Sequence, residues 1–107
     1  MAIPSLDELT LLHNIVCHAV ADPKRIQIMY ALHEQPRNVT ALSEALSSPQ
    51  PTISRHLTIL RERSLVVAER SGTSVTYRLA DPRIIDVLDT MRQMLRESFA
   101  RRTSAIE

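Results

Sequence analysis

The chain has 107 residues, 44% hydrophobic and 23% charged, with a formal net charge of +1. That length makes a single domain with a modest core. One cysteine, Cys17, excludes a disulfide within the chain, and one glycine, Gly72, leaves no material for a glycine-rich phosphate loop. No Ser-His-Asp or paired-carboxylate pattern stands out, so an enzyme is not expected. The opening M-A-I-P-S-L-D-E-L lacks the basic and apolar regions of a signal peptide. No apolar run approaches the roughly 20 residues that span a bilayer. The expectation is a cytoplasmic protein with no membrane partner and no cofactor. Charge is uneven: residues 1–49 carry three basic side chains against five acidic, and residues 50–79 carry five basic against two acidic. The positive surplus sits where a polyanion would need it.

In chain order, Ser5 to about Val20 reads as a helix capped by Ser5, with Asp7 and Glu8 favourable in its first turn. Leu9, Leu12, Val16 and Ala19 form one stripe, and Leu6, Ile15 and Val20 widen it. Such a helix is either sandwiched in the core or meets a second subunit. Asp22-Pro23 begins the next helix, with the stripe Ile26, Met29, Tyr30 and His33 flanked by Ile28 and Leu32. His33 suits the negative end of that helix. Gln35-Pro36-Arg37-Asn38 breaks it. A short helix follows from about Val39 to Ser47, capped by Asn38 or Thr40, with Val39, Leu42, Ala45 and Leu46 facing inward.

After the turn Ser47-Ser48-Pro49 comes P-Q-P-T-I-S-R-H-L-T-I-L-R-E-R, Pro49 to Arg63. Ile53, Leu57 and Leu60 at i, i+4, i+7 give one narrow buried stripe. Pro51 suits the first turn. Gln50, Thr52, Ser54 and Arg55 mostly point away from the stripe and can bond base edges. Residues 39–63 thus form a helix-turn-helix with polar groups at the front of its second helix. Residues 65–79 then read as two strands around Ser71-Gly72-Thr73, a wing. Lys24, Arg25, Arg61, Arg70 and Arg78 are candidate phosphate contacts. His56, beside the stripe, is either a phosphate contact or a structural histidine under the helix. Asp81-Pro82 caps a last helix to about Arg101, with Ile84, Leu88, Met91 and Leu95 as its stripe and Ile85, Val87, Met94 and Phe99 broadening it. Thr103 to Glu107 is expected to fray. The fold class is mainly α with a small β-hairpin.

This order resembles the ArsR/SmtB family of bacterial winged-helix repressors over about Val20 to Glu97. Ala21-Asp22-Pro23-Lys24-Arg25-Ile26 is similar to the family's A-D-P-x-R-L opening. Pro51-Thr52-Ile53-Ser54-Arg55-His56-Leu57, with Leu60-Arg61, is similar to its S-T-V-S-R-H-L-x-x-L-R recognition helix. Val75-Thr76-Tyr77-Arg78-Leu79 is similar to its second wing strand. The resemblance implies a homodimer joined through residues 1–20 and 82–101, bound to a two-fold-related operator in double-stranded DNA and released by an inducer. Residues departing from the family are Pro49 and Pro51, where serine is usual, and Ser64, where glycine is usual. Its arsenic and cadmium sensors carry C-V-C in the helix before the recognition helix, where Val39 to Ala45 has no cysteine. Positions matching its zinc ligands are Asp81, Arg83, Met94 and Glu97, which lack both imidazoles.

That leaves Cys17, with His13 four residues earlier and His18 beside it. Three readings stay open: a metal held at Cys17 and His13 with help from a second subunit, a thiol-reactive switch, or plain packing at an interface. With none of these the protein would be a constitutive repressor. A winged helix can also serve as a protein-interaction module, but such a module would expose apolar groups where Gln50 to Arg55 are polar.

Overall fold

The computed structural model describes residues 2–106, with side chains through residue 102. Its order is α1 (Leu6–Leu12), α2 (Pro23–Glu34), α3 (Val39–Leu46), α4 (Gln50–Glu62), β1 (Val66–Ser71), β2 (Ser74–Leu79) and α5 (Arg83–Ile106). Between α1 and α2 the helix continues through a π-helical turn, His13–Cys17, in which the His18 N–H reaches the His13 carbonyl.

Local chemistry sets the helix starts. Ser5 Oγ accepts from the Glu8 N–H at 3.2 Å, Asp22 Oδ1 from Lys24 at 2.8 Å and Asn38 Oδ1 from Ala41 at 2.8 Å. Asp81 Oδ1 accepts from Arg83 at 2.9 Å. Each satisfies an N–H that the helix itself cannot. Both helices of the helix-turn-helix end alike. The N–H of Ser48 reaches the Ser43 carbonyl and that of Ser47 the Glu44 carbonyl; Leu65 reaches Leu60 and Ser64 reaches Arg61. These are Schellman closures, and Ser47 (φ 49°) and Ser64 (φ 61°) take the left-handed position usually held by glycine.

The core lies where α2 meets α3, α4 and the hairpin. Ile28, Met29, Leu42, Ile53, Leu57 and Leu60 are its largest fully buried side chains. The α4 stripe is the expected one. On α2 the buried line is Ile28, Met29, Ala31 and Leu32, while Ile26 and Tyr30 are half-buried and His33 is exposed. As the central helix, α2 is covered from several sides, which shifts its buried line away from the expected stripe. Ala45, expected to face inward, is exposed.

Antiparallel pairing runs from Val66 opposite Leu79 to Ser71 opposite Ser74, closed by Gly72 and Thr73. Gly72 has φ +62°, as the first position of a tight primed turn requires. Arg37 and Tyr77 form a further two-bond bridge, at 3.1 and 2.8 Å, which ties the α2–α3 linker to β2. The ends of the chain differ from the middle. On the N-terminal helix only Ala19 is buried, and α5 buries Ile85 and Leu88 but exposes Val87, Met91, Met94, Leu95 and Phe99. The N-terminal helix is therefore not sandwiched within this chain. The last helix continues to Ile106, past the Arg101 end and the frayed segment expected, because no glycine or proline interrupts it. Glu107 lies outside the described residues. Among the described residues no helix is long and apolar enough to cross a membrane.

Candidate nucleic-acid interface

Burying Ile53, His56, Leu57 and Leu60 turns the opposite side of α4 outward. Ser54, Arg55 and Thr58 are exposed there, with Thr58 three residues after Arg55 and four after Ser54, the separations that make neighbours on one face. Thr58 lies beyond the first turn that the sequence pattern marks, and its spacing from Ser54 and Arg55 is the signal that adds it to this face. Its hydroxyl donates to the Ser54 carbonyl at 3.0 Å. Arg55 makes no hydrogen bond or ion pair within the described residues, so its guanidinium is available to an external acceptor. Gln50 is exposed, its amide 3.5 Å from Thr40 Oγ1, and Thr52 is half-buried. Pro49 caps α4 without a side-chain acceptor, so the first-turn N–H groups are open to water or an anion.

The expected phosphate contacts divide. Arg61 and Arg70 are exposed and without an ion pair among the described residues, and Lys24 is half-buried. Arg25 departs from its expected place at the surface, and of the two readings of His56 the buried one holds: the two residues are only 8% and 6% exposed. Arg25 Nε donates to the Ala19 carbonyl at 2.7 Å and Nη2 to the His18 carbonyl at 3.1 Å, while Nη1 lies 3.4 Å from His56 Nδ1. Neither side chain can reach a phosphate while it holds these partners, and His56 is a structural histidine under the helix. Alternation along the strands puts Arg70 and Arg78 on opposite faces of the hairpin. Arg78 Nε also donates to Glu69 Oε1 at 2.6 Å, so part of its charge is already matched.

Cys17, His13 and His18 are all exposed, on or beside the π-helical turn. No group of three or more His, Cys, Asp or Glu side chains suited to a metal occurs among the described residues. At the start of α5 Arg83 grips Asp81 bidentately, with Nε 3.1 Å from both oxygens and Nη2 2.7 Å from Oδ2. That grip holds the Asp81 carboxyl down at about 2. Met94 is exposed, and Glu97 accepts from Gln93 at 3.2 Å. Arg63, just past α4, donates to the Asn14 carbonyl at 2.8 Å, an unforeseen brace from the recognition helix to the π-helical turn.

A family model described as the bacterial regulatory protein, arsR family, matches residues 22–67. The HTH-type transcriptional repressor SmtB of Mycobacterium tuberculosis is 46% identical over 70 residues, 65% of this chain and 52% of the relative. The HTH-type transcriptional regulator NmtR of the same organism is 39% identical over 71 residues, 66% of this chain and 59% of the relative. The match thus spans little more than half the length of these relatives. A homodimeric winged helix-turn-helix DNA-binding domain from Mycobacterium bovis, a possible ArsR-family transcriptional regulator, superposes with a TM-score of 0.75. It is 29% identical, and the match covers 94% of this chain and 95% of that domain. With the arsR-family model over residues 22–67 and the winged helix-turn-helix fold of the M. bovis domain matched over 94% of the chain, the chain belongs to the ArsR family.

Proposed function

We propose that the protein is a homodimeric, sequence-specific DNA-binding repressor of transcription that reads a two-fold-related operator in double-stranded DNA. The observation that carries this is the unpartnered Arg55 on the outward face of α4, between Ser54 and Thr58 and above a fully buried stripe. A helix so placed enters the major groove front end first. Arg55 suits guanine, which it can bond bidentately, and Gln50 suits adenine; Thr52, Ser54 and Thr58 are shorter partners for base edges or phosphate. Arg61, Arg70 and Lys24 hold phosphates, with Arg78 sharing its charge between Glu69 and the DNA. Occupying a promoter in this way blocks the polymerase. SmtB of M. tuberculosis, named a transcriptional repressor, supports this reading.

Fluorescence anisotropy on the DNA upstream of the gene, across a salt series, tests it. Arg55→Ala is expected to relax sequence preference, by ~1–3 kcal/mol at one base pair. Arg70→Ala should weaken binding equally on all sequences and lower the salt slope by about one. Equal losses on specific and random DNA for both variants would overturn this division of roles.

A further inference from the structure

An open cleft of about 520 Å³ lies between α2, the linker after it, α3 and α5. Small-molecule sites run to ~300–1,000 Å³, with mainly apolar walls and a few placed polar groups. Here Ile26, Ala31, Ala45 and Leu46 supply apolar surface, and two guanidiniums, those of Arg37 and Arg92, line the same space.

Arg37 has a fixed base and an unmet demand. Its backbone is bonded in both directions to Tyr77. Its side chain is 15% exposed, and Nη2 donates to Glu34 Oε1 at 2.8 Å. Its Nε is buried with no acceptor among the described residues. A buried donor without a partner is uncommon and costs free energy. Glu34 satisfies only the far end of the guanidinium, from an exposed position. Arg92 lies over the Tyr30 ring, 5.1 Å from its centroid.

We propose that this cleft binds a small organic carboxylate with an apolar body, whose oxygens engage Arg37 while its body lies against Ile26, Leu46 and Ala45. A carboxylate matches adjacent guanidinium N–H groups as no neutral group does. Free phosphate would leave the apolar surface unused, and a neutral apolar ligand would make no use of the Arg37 guanidinium that lines the cleft. A metal cation would face two arginines, and the one lining carboxylate, Glu34, is already bonded to Arg37. The site is independent of whether the protein binds DNA.

The test is amide-resolved NMR of the whole protein, titrated separately with phenylacetate and phenylacetamide. Phenylacetate should shift the amides of Gln27, Glu34 and Ala45 saturably, with a Kd on the order of 1 mM. Phenylacetamide should bind about tenfold or more weakly, having lost the charge-assisted bonds. Arg37→Gln should abolish that preference for the acid. Ala45→Phe, at an exposed helical position, should block both probes while the rest of the spectrum stays native. Equal binding of acid and amide would overturn the proposal. So would shifts confined to the exposed faces of α1 and α5, or no saturable shift at the cleft up to the solubility of the acid.

Discussion

Arg25 and His56 make one buried unit that joins the end of the N-terminal helix to the recognition helix. The carbonyls of His18 and Ala19 lie at a helix end, where a cation is favoured by the dipole. A guanidinium only donates, so His56 Nδ1 must present its lone pair and the neutral ring carries its proton on Nε2. Burial pushes the His56 imidazole below its ordinary 6.5, Arg25, Arg55 and Lys24 act in the same direction, and Asp22 opposes them. The unfolded chain therefore takes up this proton first as pH falls. His56 contributes its full stability above about pH 6.5 and loses it as pH drops toward the depressed value. The urea midpoint, measured at fixed protein concentration, is expected to decline between about pH 7 and 5, above most carboxylate titration. His56→Gln should flatten that decline; an unchanged slope would show that other groups set it. This unit was illegible in the sequence. Arginine is rarely buried unless paired, and its partner here lies 31 residues away, beyond any local pattern. Ser54 and Arg55 were legible because the period of one helix settles which way they face.

The helix-turn-helix is closed at both helix ends by serine in a left-handed conformation. That conformation costs an L-residue ~1–2 kcal/mol, against an entropic cost of ~0.5–1 kcal/mol for glycine. Ser64→Gly is therefore expected to stabilise the protein by about 0.5–1 kcal/mol, seen as a higher urea midpoint at unchanged slope. Ser64 is exposed and its N–H already bonds Arg61, so the closure itself would survive. A lower midpoint would mean that glycine's freedom in the unfolded chain outweighs the relief. At this scale the sequence was informative wherever the signal is local: Ser5, Asp22, Asn38 and Asp81 cap as their positions suggest, and Gly72 turns the hairpin. The π-helical turn was not visible, because no residue type marks a widened turn. The Arg37–Tyr77 bridge was not visible either, because pairing between distant segments leaves no periodicity.

The whole chain is less compact than a domain of its length should be. Its radius of gyration is 16.5 Å and its longest extent 55 Å, whereas compact packing of this many residues gives about 13 Å. The excess comes from the two end helices, which carry large apolar side chains outside the core: Leu6 is 78% exposed and Leu95 67%, with Leu11, Val87, Met91 and Met94 also open. Apolar surface on this scale marks an interface, and a self-complementary pairing through a two-fold axis covers both helices at once. For the two-fold operator proposed above, such a pair would have to hold the two copies of α4 one DNA turn apart, about 34 Å. The double variant Met91→Glu with Leu95→Glu should leave each chain folded, since neither side chain is in the core. In sedimentation equilibrium it should run at 12.1 kDa, where the unaltered protein runs at twice that mass. Its operator affinity should fall by about 10²-fold or more, because each half-site is then bound without the effective concentration a tethered partner supplies. A double variant that stays dimeric would place the interface elsewhere. A monomeric variant with undiminished affinity would mean that one recognition helix suffices, and the two-fold operator would have to be abandoned.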